Sequence, residues 1–440
     1  MFYGEAIYAV NAPGALHEER HLRKVASDSG LDVSAVKTSF PVLQYSRALN
    51  GLQSLLGANN PPIDVVLMCV LLLVHFEALR ESFVPALVHM EHAIRLLHSR
   101  PEPEARKIDS SLVRSMMRLD IQGSMYLGGR IPGMPFYTAP IDSVLPSTFH
   151  DLTQARNTIN TWTCRLFYFA RVDGDIHRRL RGPGDTPLEA IARSHDLVQT
   201  FVDLDRLLWD FMHKSTVRLT VREQHGLGVL RSRVKINRML SATYLYTEAT
   251  MFDAFLQEFQ DVVAICMHIM GSEKADHRLF SVSLDEGLLQ PLFYTVIHCR
   301  DSRTRRQALA YLEKLPAQGG IWHIEATTRT ARVCVEFEES HCSKESPLCE
   351  DIPEWCRVHS AGFDGWDVQV PQQKVNSHLR YRPNGMDGEW AELSTSIEWS
   401  IPGDSGLGPD EVRLLMTDNA LMRETPLMLR PASLRGNNVT

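Results

Sequence analysis

The sequence predicts a mostly α-helical protein, a multi-helix array of packed helix hairpins with a small β-strand appendage near the C-terminus. Three observations carry this. Between Asn59 and Leu97 stands a run of ten consecutive apolar residues, Val65 to Val74, followed by Leu87, Met90, Ile94 and Leu97 at helical spacing. Helical periodicity then recurs through most of the chain as far as Glu338. After Pro347 the pattern changes to alternation of period two, in Trp355–Val370 and Val375–Tyr381.

The apolar run has no polar face, so a helix over it must be buried on every side. Ten residues fall well short of the roughly 20 needed to cross a bilayer, which makes it a core helix. Asn60 is placed to cap it, and Pro61 suits the first helical position. The turn after it is polar, with Glu77, Arg80, Glu81 and Ser82. In the second arm His89, Glu91, His92 and Arg95 take the faces that Leu87, Met90, Ile94 and Leu97 leave. The expectation is a helix hairpin with one fully buried arm.

Composition bounds the function. With 440 residues, the chain has room for a large core or for two to three domains. A net charge of −7 and a pI of about 6.2 exclude binding to nucleic acid by bulk charge. The opening MFYGEAIYAV has no basic segment and carries Glu5, so no signal peptide is expected. The eight cysteines include no C-x-x-C pair and are scattered among apolar residues, which fits a reducing compartment. Cys334, Cys342, Cys349 and Cys356 cluster in a loop-like stretch with His341 as a further conceivable ligand, but their spacing fits no standard zinc pattern and they read as free thiols.

Taken in order, the first ten residues look like the tail of an amphipathic helix that Pro13 and Gly14 interrupt. His17-Glu18-Glu19-Arg20-His21 matches H-E-x-x-H, in which two histidines on one helical face bind zinc and the glutamate activates water. Its flanks are charged and no further histidine follows at the extended spacing, so a solvated helical face is the plainer reading. Tyr45–Gly57 is a helix with Tyr45, Ala48, Leu52 and Leu55 or Leu56 inward. Ser111–Met125 turns Leu112, Met116, Leu119 and Ile121 inward. Tyr126–Pro146 is a loop rich in Gly and Pro. Thr148–Val172 is helical and aromatic, with Trp162, Phe167, Tyr168 and Phe169 as core. Leu188–His213 and Gly226–Met270 read as two long helices. Asp203 and Asp205 lie on different faces and read as surface charges. Phe280–Leu312 forms a second hairpin, with Asp301 as cap and Ala308, Leu309 and Leu312 buried. Arg300, Arg303, Arg305 and Arg306 read as a solvated basic tip. Trp322–Glu338 is helical, and two or three strands follow, with a turn at Phe363-Asp364-Gly365. The expected division is a helical domain over 1–345, a strand-containing extension packed on it over 346–400, and a flexible tail over 401–440.

The blocks YSRALNGLQSLLG (Tyr45–Gly57), VVLMCVLLLVHFEALRESFVPALVHMEHAIRLL (Val65–Leu97), MRLDIQGSMYLGGR (Met117–Arg130), FHDLTQARNTIN (Phe149–Asn160) and SLDEGLLQPLFYTVIHCRDSRTRRQALAYLEKLPAQGGIWHIEA (Ser283–Ala326) occur in this order. In order and spacing they resemble the C-terminal regulatory region of fungal zinc-binuclear-cluster (six-cysteine) transcription factors. Phe76-Glu77, His89, Arg118-Leu119-Asp120 with Gln122, Ala155-Arg156, Pro291-Leu292-Phe293 and Cys299-Arg300-Asp301 fill the family's positions. Ile352-Pro353 with Arg357-Val358 resembles its strand-like end.

The resemblance implies a nuclear regulator of RNA polymerase II transcription in a filamentous fungus, tied to metabolic or secondary-metabolite genes. Its helical region would relay a signal and contact protein partners: the transcription machinery or an intact zinc-cluster factor, with a small-molecule effector as a further ligand. The family's DNA reader, six cysteines beginning C-x-x-C, has no counterpart in these residues. No zinc ligand or base-contacting residue carries over, no cofactor is expected, and direct DNA contact is not expected of this chain. Either a reader lies upstream, or the protein pairs with a factor that has one. Two other readings stand beside this one: a helical scaffold that binds an effector or partner without a DNA role, and a zinc hydrolase using His17, Glu18 and His21.

Overall fold

Apolar spacing sets which face each helix of the computed structural model turns inward. The structure describes residues 7–18, 39–58, 61–80, 83–101, 107–126, 130–137, 144–174, 186–214, 219–272, 287–315, 324–364, 374–386 and 388–398. Helix α1, residues 7–18, runs through Pro13 rather than stopping there. A proline inside a helix removes one hydrogen bond. Here its ring is buried beside Ala9 and Ala12, and that burial offsets the loss. Helix α2, Ser39–Leu56, buries Tyr45, Ala48, Leu52 and Leu55, as their spacing predicts.

Helix α3, Ile63–Leu79, starts later than the sequence implies. Pro62 is its N-cap and Pro61 lies outside it. A residue ahead of a proline avoids the helical region, so Pro61 cannot serve as the first turn. Asn60 lies outside the described residues. Nor is α3 buried on every side. Val66, Leu67, Val70, Leu73, Val74 and Phe76 face inward, while Asp64, Met68, Leu71, His75 and Ala78 form a partly exposed stripe. The helix packs against α2, against α4 (Phe83–His98) and against α5 (Ser110–Tyr126), which leaves that stripe uncovered by them.

Two polar residues assigned to the turn and the outer faces are buried. Glu77 is 2% exposed and His89 7% exposed. His89 Nε2 and Tyr45 Oη are 2.9 Å apart, and Arg80 meets Glu77 at 3.3 Å. Burial first and then Glu77 raise the Tyr45 pKa well above its usual value, so its proton stays on. With Tyr45 donating to Glu77, His89 Nε2–H donates to Tyr45 Oη, and Glu77 accepts from Arg80 as well. Three helices are thereby tied by one hydrogen-bonded line under an otherwise apolar contact.

Helix α5 is followed by α6, Leu152–Phe169, and a π-helical turn, Ala170–Gly174. Met117 meets Thr161, and Asp120 meets Cys164, both 44 residues apart, so α5 and α6 run parallel. The described part of the connection between them lies against the core, with Met134 fully buried. Its residues 130–137 are strapped down by Asp120, whose carboxylate accepts from Gly133 N at 3.0 Å and Met134 N at 2.8 Å. A Cβ on Gly133 would come within 2.7 Å of Ile94, so only glycine lets the strap lie this close.

Helix α7, Leu188–Lys214, pairs with α8, Val221–Thr243, which opens on a capping box of Thr220 and Glu223. The expected single helix over Gly226–Met270 is instead two. A 3-10 turn, Ala249–Phe255, reverses the chain into α9, Leu256–Ser272. Lys235 with Asp261 and Arg238 with Glu258 pair across this antiparallel hairpin. No glycine or proline marks the reversal, and its cause is tertiary, as shown below. The second predicted hairpin is present as α10, Leu289–His298, and α11, Ser302–Leu312, with Asp301 accepting from Thr304 N at 2.9 Å as cap. Ala308, Leu309 and Leu312 are buried as expected. Residues 280–286 lie outside the described range.

Helix α12, Ile324–Ser340, carries the sheet. Strands β1 (Ser360–Asp364), β2 (Lys374–Tyr381) and β3 (Ala391–Glu398) form an antiparallel sheet in the order β1-β2-β3. Phe363 and Asp364 pair with Ser377 and Asn376 rather than forming a turn. Leu379 is fully buried and Ile397 packs with Ala326 of α12. Trp355 and Cys356 belong to a 3-10 turn ahead of β1, not to a strand. The expected flexible tail, 401–440, lies outside the described residues. Among the described residues, no helix is long and apolar enough to cross a membrane.

His89 gives this core an acid-sensitive joint. Burial, aided by His92, lowers its pKa from 6.5 to about 4. The unfolded chain takes up a proton near 6.5 that the native site refuses, so this contribution is complete above pH 6.5 and is lost as pH falls toward 4. Urea unfolding should show the protein losing about 2 kcal/mol between pH 7 and pH 5 from this site. His89→Gln keeps a donor to Tyr45 but cannot titrate. A variant with the same pH slope as the parent would rule out His89 as the source.

Candidate functional site

Two of the four arginines read as a basic tip prove to be buried charges. Arg300 is 1% and Arg305 0% exposed, while Arg303 and Arg306 remain on the surface. Arg305 shares a helical stripe with Ala308, Leu309 and Leu312, which turns it into the core along with them. Opposite it, Glu338 lies on the inner stripe of α12 with Ala331 and Cys334. One Glu338 oxygen accepts from Arg300 at 2.9 Å and the other from Arg305. Val358 N also donates to Glu338, and Arg300 donates to the carbonyls of His298 and Val358 at 2.6 and 2.8 Å. Burial alone would raise the Glu338 pKa, but Arg300 and Arg305 outweigh it and hold the carboxyl below its usual range.

The centre continues into the segment after α12. Arg357, 1% exposed, grips Asp253 with both nitrogens, at 2.6 and 2.8 Å, and donates to the carbonyls of Cys349 and Ile352. Glu354 accepts from Ala249 N and Thr250 N at 2.7 and 2.8 Å, capping the 3-10 turn. Against the upward push of burial, hydrogen bonds from His359 and from these amides lower the Glu354 pKa to about 2. Glu354 and Arg357 thus hold both ends of the reversal between α8 and α9. This is why a helical sequence pattern turns there without glycine or proline.

Thiols surround this centre. Burial first, then the nearby acids and thiols, push Cys299 and Cys334 up to about 12 and Cys356 to about 11. Cys334 lies 3.7 Å from Arg305 and belongs to a helix, not to a loop with Cys342, Cys349 and Cys356. Groups held this firmly in one ionisation state resist proton transfer and nucleophilic attack at neutral pH. The arrangement is suited to fixing α10, α11, α12 and residues 347–358 in one register, and so to passing a displacement of one to the others.

A second polar line crosses the helices near it. Asn160 of α6 meets Arg233 of α8 at 3.0 Å, Thr163 meets Asn237 at 2.8 Å, and Gln290 of α10 meets Asn237 at 3.5 Å. The remaining candidates do not join either group. His17 and Glu18 are exposed at the end of α1, and His21 lies outside the described residues. Among the described residues no group of three or more His, Cys, Asp or Glu side chains is disposed to hold a metal ion. Asp203 pairs with Arg206 on its own helix, and Asp205 with Arg231 and Lys235 of α8. Phe167 and Phe169 are core, and Trp162 is partly buried under Arg165. The clue to the buried centre was an acid and an arginine, Glu338 and Arg305, each set on an otherwise apolar stripe.

A family model described as the fungal specific transcription factor domain matches residues 8–336. The chain belongs to that family, which is one of transcription-factor domains and not of enzymes. No curated protein and no solved structure matches it.

Two outcomes test this site. Glu338→Gln leaves two buried guanidinium groups under-neutralised and should cost about 3–5 kcal/mol in chemical unfolding, whereas Glu339→Gln, which loses a surface pair with Arg306, should cost less than about 1 kcal/mol. Equal effects would remove the buried centre from its proposed role. In the folded protein a thiol reagent should modify Cys342, the partly exposed cysteine, well before the seven buried ones, which should react on unfolding. Fast reaction of several thiols in the native state would contradict this packing.

Proposed function

From membership of this family we propose that the protein regulates RNA polymerase II transcription through its helical region, acts in the nucleus, and controls a metabolic or secondary-metabolite gene set. The observation that supports this is the match over residues 8–336, most of the chain. In this reading residues 1–345 are the regulatory domain, 346–400 pack on it, and the regulatory work is protein contact. The sequence contains no C-x-x-C pair. In this reading DNA contact is made by a zinc-cluster module outside these residues, in the same polypeptide or in an intact partner, and an effector would act by shifting the helical array.

The rigid coupling of α10, α11 and α12 to residues 347–358 supports a relay. A ligand or partner that favours one arrangement of such a unit shifts the whole of it. Fluorescent tagging at the native locus with chromatin immunoprecipitation tests the reading. The expected result is nuclear protein enriched at a set of promoters, with transcripts from those genes changing when the gene is deleted. Protein confined to the cytosol, with unchanged transcripts on deletion, would favour a scaffold with no role in transcription.

A further inference from the structure

Four tryptophans lie among the described residues, and three of them carry an arginine of this chain over the ring. Arg165 lies 4.6 Å from the centre of Trp162, Arg231 5.3 Å from Trp209, and Arg382 4.1 Å from Trp390. Trp355 differs. Its exposure, 41%, is less than the 49% of Trp209, but its described ring contact is His341 at 5.2 Å, nearly perpendicular, and no described arginine lies over it. It ends a row of rings: Tyr381 lies 4.8 Å from Phe337, and Phe337 4.9 Å from His341. The row crosses from β2 over the end of α12 to the 3-10 turn at Glu354–Cys356. Leu348, 49% exposed, lies in the same connecting segment.

The charges around this row are unbalanced. The nearby cations are engaged: Lys344 by Asp351 at 2.6 Å, Arg306 by Glu339 at 2.5 Å, Arg380 by Glu392 at 3.4 Å. Glu345 and Glu350, between His341 and Trp355 in the chain, are exposed and make no ion pair with any described residue; Glu350 adds to the charge around Lys344, and Arg306 donates to the Glu345 carbonyl rather than to its carboxylate. His341 Nδ1–H donates to the Phe337 carbonyl at 2.7 Å, which leaves Nε2 of the neutral ring as an acceptor. The surface thus offers an open indole face, carboxylates and an acceptor. An aromatic face near exposed acids is complementary to a guanidinium, which stacks on the ring and donates to oxygen at once.

We infer that the row Tyr381–Phe337–His341–Trp355 is a docking surface for an extended, arginine-bearing segment of a protein partner, with Trp355 receiving the guanidinium that this chain's own arginines supply to its other described tryptophans. The surface stands apart from the transcriptional reading: peptide docking can fail while the protein still occupies promoters, and the reverse.

The test uses the full chain and two short synthetic peptides, one alternating proline and arginine, the other proline and glutamate. Calorimetric titration should show binding of the arginine peptide and none of the glutamate peptide. Trp355→Ala should weaken binding about tenfold, Trp355→Phe should restore much of it, and Trp209→Ala, whose ring already carries Arg231, should leave it unchanged. In the parent protein the Trp355 indole resonance should shift on titration, a readout that requires no folded variant. Absence of binding, equal affinity of the parent and a folded Trp355→Ala chain, or an unmoved Trp355 resonance would overturn the inference. In the last two cases the arginine peptide would merely be responding to the net charge of −7.

Discussion

One carboxylate sits where four parts of this fold meet. Glu338 neutralises Arg300 between α10 and α11 and Arg305 inside α11, and it accepts from the backbone of Val358 beyond its own helix. Burying three charges is costly, and an apolar replacement of the same volume would often be as stable. The group cannot, however, be satisfied in more than one arrangement. An apolar contact tolerates sliding by a fraction of a turn. Two guanidinium groups fixed on one carboxylate do not, because any slide leaves a buried charge unpaired. The centre therefore sets register more than it adds stability, and the neighbouring helices inherit that register.

The hairpin of α3 and α4 shows the complementary case. Its contact is large and apolar, and burial of each Leu or Phe side chain stabilises by about 1.5–3 kcal/mol. Such a contact supplies driving force without specifying position. Position comes from the line His89–Tyr45–Glu77–Arg80, which ties α4, α2 and α3 together. The Asn160–Arg233 and Thr163–Asn237–Gln290 contacts do the same for α6, α8 and α10. Apolar faces make these helices pack, and buried polar lines decide how. A regulatory array built this way has few soft contacts inside it, so displacement is passed on rather than absorbed.

This division explains what could be read from the sequence. The helices were legible because helical period is a local property, and so was the Asp301 cap, three residues from its donor. The ends of α3 and the fate of Pro13 were misjudged because they depend on a second proline and on what lies against the ring. The reversal between α8 and α9 was missed because its cause, Glu354 with Arg357, lies about 100 residues away. The burial of Arg300 and Arg305 was missed because arginines beside an acid in sequence look solvated. Only the stripe on which Arg305 and Glu338 stand hinted otherwise. Polar burial is a pairwise, long-range property, and a single sequence shows one partner at a time.

The matched range of the family model ends at residue 336, within α12 and two residues before Glu338. The physical unit does not end there. Arg300 and Arg305 lie inside the matched range, and their counter-charge lies outside it. Asp253 and the amides of Ala249 and Thr250 also lie inside, and the groups that satisfy them, Arg357 and Glu354, lie outside. A chain cut at residue 336 would keep almost all of its apolar core and lose the partners of two buried cations and one helical turn. Since a buried unpaired charge costs more than several buried methyl groups contribute, the contacts of Glu338, Glu354 and Arg357 bind the residues after 336 to the matched range more firmly than their small share of the apolar core would.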